Sequence, residues 1–326
     1  MRDMMSYETG KQKGFVLILV LWVLAVLTVM SISFTYMTRV ESLAALSFRK
    51  SVAMKFLAEA GVERGVAEVL YRKRNLSVEG SEVWGVDGSP YKIETDYGNY
   101  SVGITDESGK VDINRTPELI LRNLLGILGY DLEVVDTITD SVMDWKDTDD
   151  FYRLNGAESD YYMSLPDPYT AKNSNFETLE ELMLVKGVTP EILHGEEDKK
   201  GLIDFLTVYS GTGRINLNAA PREVLMAIPG MSQEIADDLI ESRQAGVVGN
   251  LKVLLGENYS FMVPYIDQNT AFSGSKAYTF ETTGYLDYDE TGYGIRAIVK
   301  LGGAGGFNYL YYKSPADIRH DRDDKS

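Results

Sequence analysis

Lys11-Gln-Lys-Gly14-Phe15-Val-Leu-Ile-Leu19-Val-Leu-Trp-Val-Leu-Ala-Val-Leu-Thr-Val-Met-Ser-Ile32 is the stretch on which the fold turns. No charged residue lies between Lys13 and Arg39, and about 20 apolar residues let a helix cross a bilayer. Arg2, Lys11 and Lys13 precede the run, which favours a cytoplasmic N-terminus by the positive-inside tendency. A cleaved secretory signal would have an apolar core of about 7–15 residues and then a small-residue cut site. This run is longer, and Met30-Ser31-Ile32-Ser33 makes a poor site. Two readings remain. One is a plain signal anchor. The other is a leader, residues 1–14, cut between Gly14 and Phe15 so that the membrane helix, 15–38, stays on the mature chain.

Beyond Arg39 the apolar positions Val40, Leu43, Phe48, Val52, Phe56, Ala60, Val66 and Leu70 recur at helical spacing. Glu41, Arg49, Lys55, Glu59, Glu63 and Arg64 occupy the other faces, and no proline occurs before Pro90. The membrane helix therefore runs on into an amphipathic one. From Phe15 to Arg74 it would be about 90 Å long. Gly61 and Gly65 each cost such a helix about 1 kcal/mol relative to Ala, which close packing against a sheet would offset.

The leader, this helix and Phe56-Leu-Ala-Glu-Ala-Gly-Val-Glu-Arg64 resemble the type IV pilin-like proteins. Most of that family carry Glu as the fifth mature residue. Counting from Phe15, the position here is Leu19. In the family that carboxylate pairs with the free amine of a neighbouring subunit, and left unpaired in hydrocarbon it would be costly. A subunit with nothing above it is better served by an apolar residue. The K-class minor pseudopilin of type II secretion systems lacks the Glu, and the chain is similar to that class.

Tyr91–Asp96 and Tyr100–Thr105 alternate in polarity, as strands do. Tyr278–Thr283, Gly294–Lys300 and Phe307–Lys313 read likewise, separated by turn-rich Asp287–Gly292 and Gly302–Gly306. Some 170 residues with helical signals lie between the two strand groups. The expected fold is α+β: a pilin-like long N-terminal helix on a small antiparallel sheet, with a large inserted helical domain. The segments are a leader (1–14), a transmembrane helix (15–38), an amphipathic helix with the first strands (39–105), the insertion (106–276), the last strands (277–316) and a polar tail (317–326).

The insertion echoes itself. Gly109-Lys-Val-Asp-Ile-Asn-Arg-Thr-Pro117 aligns without gaps to Gly213-Arg-Ile-Asn-Leu-Asn-Ala-Ala-Pro221. In each copy a short extended piece leads to a proline suited to a first helical turn. The second copy continues through Ile228-Pro-Gly-Met231 into another apolar-periodic stretch, which resembles a helix-hairpin-helix unit, and Leu184–Leu193 carries a similar signal. The K-class resemblance implies two such helix-hairpin-helix, or SAM-like, modules. These units can hold DNA phosphates at helix N-termini or serve purely as packing modules. Glu234, Asp237 and Asp238 stand where a DNA-binding hairpin would want cations.

Between Asp140 and Tyr162 lie Asp144, Trp145, Asp147, Asp149, Asp150, Glu158 and Asp160. Such crowding is unfavourable unless water or a cation offsets it. Calcium takes six to eight oxygen ligands, and this stretch offers oxygens without Cys or His. It is no EF-hand, and composition alone leaves a solvated loop and a metal site both open. The Asp144-Trp-x-Asp147-x-Asp149 and Gly156-Ala-Glu158-x-x-Tyr161-Tyr162 patterns are similar to the K class, whose helical domain binds calcium. The resemblance thus implies calcium as cofactor, with Asp147, Asp149, Glu158 and Asp160 as ligands and Asp150 as a substitute. Trp145, Tyr161 and Tyr162 read as core.

The formal charge is −17, which argues against a nucleic-acid partner, since phosphate affinity comes from Lys and Arg. With no cysteine and only His194 and His320, thiolate and His-based chemistries have little to work with. The glycine-rich 302–306 lacks the Lys-Ser/Thr of a phosphate loop. No enzyme is expected. The resemblance implies a single-pass inner-membrane subunit with its bulk in the periplasm. It would be processed and methylated by the prepilin peptidase and would cap the pseudopilus to help start fibre assembly. Its partners would be the other minor pseudopilins and the major one, with the secreted substrate or outer-membrane channel as further contacts. The rival reading is a membrane-tethered helix-hairpin-helix DNA receptor.

Overall fold

A computed structural model describes residues 11–74, 84–196, 199–245, 248–255, 261–286, 291–302 and 306–318. Leader residues 1–10, much of the two C-terminal turns and the tail from 319, His320 included, lie outside these. Helix α1, Lys11–Arg74, runs 64 residues, about 96 Å at 1.5 Å per residue. It starts ahead of Gly14 and passes the junction with Phe15 unbroken. An 18-residue window within it has a mean hydropathy of 3.0 and none of it is buried, so it is long and apolar enough to span a membrane.

Among the described residues, it is the C-terminal third of α1 that packs on the rest of the chain. Ala58, Val62, Val66 and Val69, spaced three or four apart, are buried with Val102, Ile104, Phe280, Ile295, Ala297 and Val299. That core lies between α1 and a five-stranded antiparallel sheet of β1 (Asp87–Thr95), β2 (Gly98–Asp106), β3 (Ala277–Tyr285), β4 (Tyr293–Leu301) and β5 (Phe307–Lys313), in that spatial order. Gly61 and Gly65 are where α1 comes closest. A β-carbon at Gly65 would sit 2.6 Å from Phe280 Cδ1, and one at Gly61 would sit 3.2 Å from Thr282 and Tyr100. The two helix-weakening glycines are thus explained by close approach to the sheet.

Strands β2 and β3 are neighbours in space, paired from Asn99 with Tyr285 to Asp106 with Tyr278, while the whole insertion lies between them in sequence. Among the described residues its α-helices are α2 (Glu118–Ile127), α3 (Leu132–Lys146), α4 (Ser159–Met163), α5 (Pro190–His194), α6 (Leu202–Phe205), α7 (Arg222–Ala227), α8 (Gln233–Ala245), α9 (Leu251–Leu255) and α10 (Val263–Gln268). They enclose a second apolar core, separate from that of the sheet. Two buried carboxylates join the bodies. Asp106 accepts from Ser275 N–H and Oγ at 3.1 and 2.8 Å. Glu107 accepts from Thr279 of β3 at 2.6 Å and from Thr207 of the insertion, and pairs with Lys110 at 2.8 Å.

The sequence repeat is a repeat in space. Val111–Asp112 pairs in parallel with Leu206–Thr207, and Ile215–Asn216 in parallel with Thr270–Ala271. The side-chain amide of Asn114 clasps the backbone of Phe176, donating at 2.9 Å and accepting at 2.8 Å. Asn218 clasps Val248 with the same two distances. The copies also pack reciprocally: Gly109 abuts Ala219, and Gly213 abuts Arg115, each with no room for a β-carbon. This is pseudo-twofold packing. Pro117 and Pro221 sit one residue ahead of α2 and α7 rather than within the first turn. Asn114 and its partner are 62 residues apart, but Asn218 and its partner only 30. The extra chain in the first copy includes the acidic stretch.

Candidate functional site

The acidic stretch begins on α3, whose last turns bury Asp140, Asp144 and Trp145. Trp145 is flanked by Tyr162, Tyr169 and Phe176. Trp145 and Tyr162 are core, as their pattern suggested, while Tyr161 is half-buried. Two buried carboxylates organise the following loop from beneath. Asp140 accepts from Asn155 N–H at 3.0 Å, and Asp144 accepts from Arg153 N–H at 3.2 Å. Lys186 closes the far side, donating to the carbonyls of Asn155 and Gly156 at 3.1 and 2.9 Å. The loop is therefore fixed before any ligand is considered.

Asp147, at the C-terminus of α3, Asp149 and Glu158, at the N-terminus of α4, converge, with ligand-type oxygens within 4.8 Å of one another. Glu158 is 1% exposed, and neither of its carboxylate oxygens has a hydrogen-bond partner. Asp147 Oδ1 is likewise buried and unpartnered. Burying an unpaired carboxylate costs several kcal/mol, so it protonates or is paired. Burial, with the charges of Asp144 and Asp147 behind it, lifts Glu158 to a pKa of about 7. Burial also raises Asp144 and Asp147, the latter helped by Asp149.

Asp150 and Asp160 fall outside this group of three. Both are exposed, and Asp160 accepts from the N–H of Tyr161 at 2.7 Å. Two further buried, unpartnered oxygens belong to residues that the sequence pattern does not mark as ligands. Asp144 Oδ1 has no hydrogen bond, though Arg153 Nε is 3.5 Å away. Asn173 Oδ1 is buried and unpartnered, and its N–H bonds the carbonyl of Trp145 at 2.9 Å. Asn173 has φ of 50°, a region a non-glycine residue seldom occupies. An Asn in a polar loop carries no sequence signal of that kind. Orphaned, oxygen-only donors around a buried carboxylate fit a hard divalent cation and give a Cys- or His-seeking metal nothing to hold.

A family model described as type II secretion system protein K matches residues 103–195, which include α2, α3 and this loop. The type II secretion system protein K of Pseudomonas aeruginosa is 28% identical over 253 residues, 69% of this chain and 72% of that one. The protein of the same name from Pectobacterium carotovorum subsp. carotovorum is 27% identical over 201 residues, 56% of this chain and 60% of that one. A chain in the crystal structure of the GspK-GspI-GspJ complex from the enterotoxigenic Escherichia coli type 2 secretion system superposes with a TM-score of 0.60 at 13% identity. It covers 85% of this chain and all of its own, and so shares the fold. The protein K match lies over the sheet-to-insertion junction and the acidic loop, and a long apolar helix leads into the small antiparallel sheet, so by sequence and by fold this chain is similar to type II secretion system protein K.

Proposed function

We propose that this chain is a minor pseudopilin of a type II secretion system, that it occupies the tip of the pseudopilus and helps initiate its assembly, and that α1 holds it in the inner membrane with its N-terminus cytoplasmic. The observation that carries this reading is Leu19 at the fifth position after Gly14, where no carboxylate waits for the amine of a preceding subunit. The insertion adds bulk above the sheet that would hinder a further subunit. The solved relative lies in a complex with GspI and GspJ, so the other minor pseudopilins are the partners inferred for this chain, with the major pseudopilin below. The prepilin peptidase would cut before Phe15 and methylate it, and the secreted substrate or outer-membrane channel would be met at the tip.

The same reading gives the acidic loop a calcium ion, held by Asp147, Asp149 and Glu158. Unpartnered oxygens on a buried Glu158 support it. When bound, the ion would neutralise carboxylates that otherwise repel, a structural rather than chemical service. The DNA-receptor alternative is disfavoured by the hairpin itself. Arg222 is paired with Asp237 at 2.8 Å, and Arg243 donates to the carbonyl of Ala220 at 2.7 Å.

The test is to install Leu19→Glu in a secreting cell and locate the subunit on its fibres by cross-linking. Wild type should be found at one end. Leu19→Glu should be able to enter the shaft or fail to start fibres. Wild type spread along the shaft sinks the reading, as does an unprocessed Met1 in the membrane-extracted protein.

A further inference from the structure

Past Asp149 the acidic loop turns its apolar side chains outward. Phe151 is 82% exposed and Leu154 96%, with Tyr152 about half exposed. Scattered exposed apolar residues are ordinary, but these are held there. Phe151 N–H donates to Asp149 at 3.0 Å. The next two anchors are Arg153 N–H on Asp144 and Asn155 N–H on Asp140. The Arg153 side chain reaches α2, meeting Glu118 at 2.8 Å, beside half-exposed Leu119. The backbone is pinned by carboxylates while its aromatic and aliphatic groups stay in solvent. Rigid, pre-ordered apolar anchors of this kind dominate protein interfaces because little entropy is lost when they are covered.

The rim decides the occupant. Asp149 and Asp150, which directly precede Phe151 in the chain, are exposed. The two cations of this stretch are engaged inward, Arg153 as above and Lys146 on the carbonyl of Ile113 at 2.9 Å. An anionic lipid surface would be repelled by that rim, and a second copy would bring the same acids against itself. Charge complementarity selects a protein surface with an apolar cleft edged by Lys or Arg. We propose that Phe151 and Leu154 form a docking finger that inserts into such a basic-rimmed cleft on a neighbouring subunit. This rests on the assembly role proposed above and not on the metal.

The experiment uses the full chain in detergent, titrated with the purified other minor pseudopilins of its own system at two salt concentrations. F151S/L154S should lower affinity about tenfold or more, as loss of central anchors does. Asp150→Lys should weaken it too, and wild-type affinity should fall with salt. Leu132→Ser, an equally exposed apolar residue on α3, should leave binding within about twofold. Matching melting curves would show that the variants fold. Undiminished binding by both finger variants overturns the finger alone. A wild-type chain that binds none of these subunits overturns the finger and the assembly role together. Loss instead of phosphatidylglycerol-vesicle binding, or of self-association, overturns the choice of occupant.

Discussion

Gly156 and Asp144 meet so closely that a β-carbon on Gly156 would lie 2.7 Å from the carboxyl carbon of Asp144, and nearer still to its Oδ2. Asp144 is wholly buried and takes the N–H of Arg153 on that same oxygen, so it cannot swing away without abandoning the loop. Gly156→Ala should therefore cost about 1–3 kcal/mol through overpacking. At about 2–4 °C per kcal/mol, the melting temperature should fall by several degrees, and calcium should no longer restore it. An unchanged melting curve with an unchanged calcium response would show that the loop tolerates the methyl and that the packing argument is wrong.

Glu158 links the loop to pH. Its folded pKa, about 7 without a metal, lies above the ordinary carboxyl value, so the folded state holds this proton more tightly than the unfolded one. The contribution from this group is present at acid pH and is lost as pH rises through the window from the ordinary value to about 7. A bound cation reverses the sign, because it needs the proton gone. Calcium affinity should rise by about tenfold or more between pH 5.5 and 7.5, read by titration calorimetry at the two values. Equal affinity at both would mean that Glu158 is not a ligand.

Glu158→Gln separates charge from shape. In metal-free buffer at pH 7.5 the neutral amide removes an uncompensated buried charge and should raise the melting temperature. Added calcium, which should stabilise wild type, should do little for the variant. Breaking a satisfied buried interaction would instead lower the metal-free melting temperature, and that outcome would deny that Glu158 is unpaired.

The fold could be read from the chain to the extent that periodicity and turn chemistry speak. The run from Phe15 to Leu70 changes from all-apolar to striped at helical spacing, and five alternating segments bounded by Gly, Asn and Asp became the five strands. The pairing of β2 with β3 across the insertion was only suggested by strands lying on both sides of it. The reciprocal contacts of Gly109 with Ala219 and Gly213 with Arg115 were hidden, since a repeat in sequence does not say how its copies pack. At the acidic loop, the carboxylates were visible but their convergence was not. Asp160 lies two residues from Glu158 yet points to its own helix start, and the orphaned oxygen of Asn173 comes from a distant part of the chain.

Glu107 should be the residue that couples the sheet to the insertion most strongly. It is buried and receives Thr279 from β3, Thr207 from the insertion and the ammonium of Lys110. Glu107→Ala would strand that ammonium and two buried hydroxyls, at a cost of about 3–5 kcal/mol. Hydrogen exchange should then speed up along both β3 and the 206–207 segment. Faster exchange confined to one body would mean that the two are held together elsewhere.

Gly65 and Gly61 offer a graded test of why α1 tolerates glycine. Alanine gains about 1 kcal/mol of helix propensity at either position. At Gly65 the new methyl would meet the ring of Phe280 at 2.6 Å, and Phe280 is fully buried, so overpacking of about 1–3 kcal/mol should exceed the gain. At Gly61 the nearest atoms are at 3.2 Å, and a shift of a few tenths of an ångström is enough. Gly65→Ala should thus destabilise the chain while Gly61→Ala should be close to neutral, as read by denaturant midpoints at unchanged slope. If both variants gained stability, the glycines would not be there for close approach to the sheet, and the distance between α1 and β3 would be set by something other than the missing side chain at Gly65.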